Sequence, residues 1–309
     1  MTKIKYLLVV LLMVSLAFAA TGCGQNEDSE IAAEVNGTEI TKIQLDEQLE
    51  AELTLMGATV EQLAGTPEGE EMLDEMRKYV LQEMILAQLF AEKAEEFDVA
   101  PTEEEAQEQI NELLETASEE EYQALLENMN WNDQDFYNFI YNQLLEKAVY
   151  DHVTAEIVAS EEEISEYYHE NEEQLKRVRA RHILVQEEEK ALELIELLNQ
   201  GEDFAELAKE HSLDPGSGSR GGDLGYFGKG RMVPEFEEAS FSLAKGEYTK
   251  EPVESEHGFH IILIEDRKET LEELREDIEY SLTFEEKSQL FNQFVEQIKD
   301  NANIVNNLE

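Results

Sequence analysis

Apolar positions recur along this chain in three rhythms, and each predicts a different kind of element. Over residues 31–40 two short β-like runs flank Asn36-Gly37, a dipeptide suited to the left-handed backbone of a two-residue hairpin turn. Thr41 then opens a helical rhythm with Gln44 three residues on, the spacing of a capping box. From 70 to 98, Met72, Leu73, Met76, Tyr79, Val80, Met84, Ile85, Leu89 and Phe90 recur on helical faces that need partner helices to cover them. Thr102 with Glu105, Ser118 with Glu121 and Ser160 with Glu163 repeat the helix-start signature, each with acids in the first turn where the helix dipole favours them. Residues 41–175 therefore read as almost wholly α-helical. Between 176 and 268 the rhythm changes. Two apolar runs, 181–185 and 257–263, each carry a histidine as buried strands, and between them lie a helical pattern at 204–211 and a glycine-rich turn at 221–225. Thr270 with Glu273 opens one more long helix. Its Leu274, Ile278, Phe291, Phe294 and Ile298 cannot bury one another, so it is expected to return to the N-terminal helices, which makes the central block an insertion in a helical domain.

The chain start carries a separate message. Lys3 and Lys5 precede an uncharged apolar run over 6–20, too short and too early for a spanning helix, followed by small residues; this reads as a secretory signal. Cys23 is the only cysteine, so no disulfide can form within the chain. Ala20-Thr21-Gly22-Cys23 resembles a bacterial lipobox, which implies lipidation at Cys23 and a cell-membrane anchor on the extracytoplasmic face, since two or more acyl chains hold where one does not. The expected order is a signal peptide over 1–22, a lipidated tether over 23–30, a helical chaperone region over 31–175, an α/β block over 176–268 and a C-terminal helix over 269–309. A formal charge of −50 excludes nucleic acid as a partner, because phosphate neutralisation needs a basic surface.

Several patterns carry chemistry only in the right context. Residues 216–221 fit G-x-G-x-x-G, but a helical run precedes them and no helix opens at their end, so the dinucleotide reading fails. His257 and His260 are spaced like a metal pair, yet Gly258 and a strand start deny them a shared helical face; no metal and no cofactor is expected. Trp131, Phe136, Tyr137 and Phe139 read as aromatic core of the helical part, with client binding as the alternative.

The central block, from Arg181-His182-Ile183-Leu184-Val185 through Gly222-Asp223-Leu224-Gly225 to His257-Gly258-Phe259-His260, resembles the parvulin class of peptidyl-prolyl isomerases. The whole chain is similar to PrsA-type foldase lipoproteins, and its Val-Asn-Gly-x-x-Ile-Thr opening looks like the start of the PrsA and SurA chaperone domains. The resemblance implies an α+β fold: a parvulin-like α/β domain, a small antiparallel sheet flanked by helices, inserted in a mainly α-helical chaperone domain. It implies isomerisation of X-Pro bonds in unfolded secreted proteins, with His182, Asp214 and His260 as catalytic residues and Leu224, Met232, Phe236 and Ser255 binding the substrate. Gln186 and the three glutamates after it stand where phosphoserine-directed parvulins carry basic residues, so phosphate would be repelled. A holdase that keeps the parvulin fold without catalysis is the alternative, and a homodimer is left open.

Overall fold

The computed structural model describes residues 30–115 and 118–308, so Cys23, the signal segment and nearly all of the tether lie outside the described residues. The described chain separates into two compact units: residues up to 157 together with 286–308, and residues 158–285.

The first unit starts with the hairpin. Strands β1 (Ile31–Val35) and β2 (Thr38–Thr41) are joined by Asn36 and Gly37 at φ 52° and 94°. A third strand, β7 (Ile304–Asn306), pairs antiparallel with the other side of β1, giving the order β2-β1-β7. Helices follow: α1 (Lys42–Leu55), α2 (Val60–Leu63), α3 (Pro67–Glu96), α4 (Glu103–Glu115), α5 (Glu119–Met129) and α6 (Asp133–Thr154). The start signals hold at atomic level. Thr41 and Gln44 form a capping box, and so do Ser118 and Glu121, each pair satisfying backbone donors that the first turn leaves free. Leu45, Leu49, Leu73, Leu81, Met84 and Leu89 form the core with Ala33 and Ile40 beneath them. A second cluster joins α4, α5 and α6 through Ile110, Tyr122, Leu126, Phe136 and Phe139, with Trp131 and Tyr137 packed at its edge.

The second unit holds α7 (Glu161–Leu175), β3 (Arg177–Val185), α8 (Glu188–Asn199), α9 (Phe204–His211), β4 (Asp223–Gly228), α10 (Pro234–Ser242), β5 (Val253–Ser255) and β6 (Gly258–Lys268). The sheet is antiparallel throughout, in the order β4-β3-β6-β5. Alternation along β3 and β6 divides its cores. Ile183, Val185 and Ile261 meet α8 and α9 on one face, whereas Val178, Ala180, Ile262 and Ile264 meet Phe227 and Phe236 on the other. The glycine-rich stretch read as a turn is partly a strand, β4, because Asp223, Tyr226, Phe227 and Gly228 pair with β3.

The expected boundaries at 175/176 and 268/269 differ from the observed units. Ile164 and Leu175 of α7 pack with Leu274 and Ile278 of the last helix, α11 (Leu271–Asn301), and this cluster extends the second unit at both ends. In the later part of α11, Phe291 stacks on Phe90 at 5.7 Å, and Ile298 enters the core of the first unit.

Candidate active site

Strand register decides where the two strand histidines go. Leu184 lies opposite His260 and His182 opposite Ile262, so both imidazoles rise from one face of the β3–β6 pair as diagonal neighbours. Both residues are buried, 6% and 4% exposed, and their rings stack with centroids 5.5 Å apart. His182 Nδ1 is 3.2 Å from His260 Nδ1. At the far side of His182, Nε2 lies 3.0 Å from Asp214 Oδ2 and 3.1 Å from Ser217 Oγ. At the far side of His260, Nε2 lies 2.7 Å from the Ser255 hydroxyl on edge strand β5.

Charge states follow from the surroundings. Burial lowers the pKa of His182, against the opposing pull of Asp214. Burial, then the neighbouring His182 and His257, bring His260 down to about 4. Burial would raise Asp214, but hydrogen bonds from Ser217, His182 and the Gly216 backbone outweigh it and hold the carboxyl at about 2. At neutral pH both imidazoles are therefore uncharged beside an ionised carboxylate. A carboxylate only accepts, so His182 Nε2–H donates to Asp214 and His182 Nδ1 is left as an acceptor. His260 Nδ1–H must then donate to it, and the Ser255 hydroxyl donates to His260 Nε2. One direction of donation thus runs from Ser255 through both rings to Asp214.

An apolar cluster adjoins this polar chain. Phe236 is 3% exposed and stands edge-on to both imidazoles, with centroids 5.6 Å from His182 and 5.3 Å from His260. It is delivered by α10, whose first turn begins at Pro234; proline there lacks only a donor that the helix could not use. Leu224 on β4 and Met232 before α10 pack against the same cluster, and both are only partly buried. The sheet and α10 therefore bring Leu224, Met232 and Phe236 into one cluster, with His182 and His260 against the Phe236 ring.

Residues that the sequence reading missed hold the loop in place. Ser217 is 1% exposed and donates through both its backbone N–H and its hydroxyl to Asp214. Ser212 accepts from the Leu184 and Asp214 backbones, and Arg181 donates to the carbonyls of Arg220 and Gly221. A serine in a glycine-serine run carries no periodic signal, so only the fold reveals Ser217. Gly222 accepts from His182 N at 2.9 Å and has φ +79°; a Cβ there would lie 2.2 Å from the His182 carbonyl oxygen. His257 has a 59% exposed side chain and donates its backbone N–H to Ser255. Among the described residues no group of three or more His, Cys, Asp or Glu could hold a metal ion.

Comparison with known proteins agrees with this geometry. Residues 163–268 match the family model of the PPIC-type PPIASE domain, and residues 1–149 match that of the SurA-like N-terminal domain. The foldase protein PrsA of Halalkalibacterium halodurans is 40% identical over 212 residues, covering 66% of this chain and 62% of that protein, so the chain spans less than two thirds of this relative. The foldase protein PrsA of Oceanobacillus iheyensis is 38% identical, covering 69% of each chain, and that of Caldanaerobacter subterraneus is 31% identical, covering 82% of this chain and 79% of that one. The histidine-bearing block is thus a parvulin-type peptidyl-prolyl cis-trans isomerase domain. The chain as a whole belongs to the PrsA foldase family.

Proposed function

We propose that the second unit isomerises X-Pro bonds with His182, Asp214 and His260 as its polar residues and Leu224, Met232, Phe236 and Ser255 as its substrate-side residues. The observation that carries this reading is the packing of the Phe236 ring against both imidazoles at the edge of an apolar, partly open cluster. Rotation about X-Pro faces a barrier of roughly 18–20 kcal/mol because the planar amide must give up its resonance. No bond to carbon is made or broken, so neither a nucleophile nor a cofactor is called for. In this reading Leu224, Met232 and Phe236 take the proline ring and exclude water from one side of the amide. The Asp214 carboxylate, beside the substrate carbonyl, disfavours the resonance form with negative charge on oxygen and so eases the twist. The neutral imidazoles and Ser255 fix the orientation of that carboxylate.

The test is line-exchange NMR on X-Pro peptides. Acceleration by the wild-type protein and its loss in Asp214→Ala and His182→Ala support the reading. No acceleration by a folded wild-type protein refutes it and leaves a holdase with a non-catalytic parvulin fold.

Lipidation of Cys23 and anchoring to the outer face of the cell membrane belong to the same reading, supported by the lipobox-like run; no helix among the described residues is long and apolar enough to cross a membrane. Release of Cys23→Ala protein into the medium is the expected outcome, and retention with the membrane opposes it. Clients are unfolded secreted proteins containing X-Pro bonds. For a homodimer the support is apolar surface such as Tyr280 and Phe284, 63% and 49% exposed and in mutual contact on α11, while the net charge opposes it; sedimentation velocity decides.

A further inference from the structure

A cleft of about 410 Å³ lies in the first unit, remote in sequence from every residue of the isomerase site. One wall is aromatic and thioether: Trp131 and Phe139, with ring centroids 5.2 Å apart, and Met84. Asn130, at φ 51°, ends α5 in a left-handed turn and sets Trp131 at the rim. The lining also bears the carboxylates Glu47, Glu50 and Asp135, and among the described residues that line the cleft there is no lysine or arginine. Glu47 and Glu50 are exposed and have no ion pair among the described residues. Glu52 on the same helix has its pKa raised, mainly by burial and then by the Glu83 carboxylate.

A lining that combines aromatic and thioether side chains with carboxylates selects for a ligand that is apolar and cationic at close spacing. We propose that this cleft is a docking site for extended segments of unfolded polypeptide in which lysine or arginine alternates with large apolar residues. The apolar side chain lies on Trp131 and Phe139, where an aromatic face also accepts a cation, and the basic side chains meet Glu47 and Glu50. A volume of this size holds a few side chains and not the surface of a folded partner. A second copy of the chain, at a formal charge of −50, would meet the cleft with the wrong sign. The site would let the foldase hold a client independently of whether a proline is present, and its failure would leave the isomerase reading untouched.

Trp131 is the only tryptophan, so its emission reports on the cleft directly. The experiment titrates the full chain with two proline-free, tryptophan-free peptides, one alternating leucine with lysine and one alternating leucine with glutamate. The lysine peptide is expected to change Trp131 emission saturably, and the glutamate peptide to leave it unchanged. Glu47→Gln with Glu50→Gln should weaken the lysine peptide about fivefold, the scale of two partly screened surface charge pairs. Glu71→Gln with Glu75→Gln, exposed on α3 outside the cleft, removes the same net charge and should leave affinity within about twofold. Equal binding of both peptides, an unchanged Trp131 signal, or equal weakening by the two double variants overturns the proposal. So does Trp131 emission that depends on protein concentration without peptide, which assigns the cleft to a second copy.

Discussion

His182 and His260 meet through their Nδ1 atoms, 3.2 Å apart, and only one of those atoms can carry the shared proton. The ionised Asp214 at the other end of His182 decides which. Imidazole nitrogen spectra at neutral pH are expected to show His182 protonated at Nε2 and His260 at Nδ1; the reverse assignment contradicts the charge states derived above. Ser255→Ala removes the donor to His260 Nε2 and leaves a buried acceptor unpaired, so it should cost about 1–3 kcal/mol in denaturant unfolding.

The same burial makes stability depend on pH. His260 titrates near 4 when folded and near its ordinary value of 6.5 when unfolded, so its contribution is complete above about pH 6.5 and is lost as pH falls toward 4, because the unfolded chain takes up the proton first. The full shift corresponds to roughly 3 kcal/mol. Thermal unfolding at pH 7.5 and 4.5 should therefore show a larger loss for the wild type than for His260→Gln. Equal losses would mean that the His260 pKa is not depressed.

Gly222 is a position where one methyl group should matter. Gly222→Ala forces a Cβ to within 2.2 Å of the His182 carbonyl at a backbone angle that L-residues rarely adopt, and is expected to cost about 1–3 kcal/mol. Because the displaced strand carries His182, isomerase activity should fall in protein that is still folded by circular dichroism. A neutral effect on both would show that β4 can shift freely.

The extent of the second unit is open to a truncation test. A fragment spanning 158–285 retains Ile164, Leu175, Leu274 and Ile278, whereas one spanning 176–268 loses all four and exposes the residues they cover. The longer fragment should melt cooperatively at a higher temperature than the shorter one. Equal melting temperatures would place the boundary at the sheet itself.

Local chemistry explains how much of this was legible in the sequence. Capping boxes at Thr41 and Ser118 and the turn at Asn36-Gly37 depend on residues within three positions, so their signals survive in the linear chain. The convergence of His182 and His260 depends on antiparallel register over 78 positions; strand parity allowed it, and the resemblance to parvulins supplied the pairing. Ser217, Ser212 and Arg181 were invisible because loop hydrogen bonds follow no period. The packing of α7 was hidden for a related reason: α7 reads as one more amphipathic helix, and nothing local says that its stripe meets the first half of α11.

The central claim is that one proline ring packs against Leu224, Met232 and Phe236 while its amide twists beside Asp214. The most direct measurement is cis/trans exchange of an Ala-Leu-Pro-Phe peptide with methyl-labelled Met232 observed in the same sample. We expect the Met232 methyl to shift on peptide addition, exchange to quicken, and Met232→Ala to slow the catalysed exchange about tenfold or more while the protein stays folded. Catalysed exchange that is unaffected by Met232→Ala, with a Met232 methyl signal that ignores the peptide, would contradict the account.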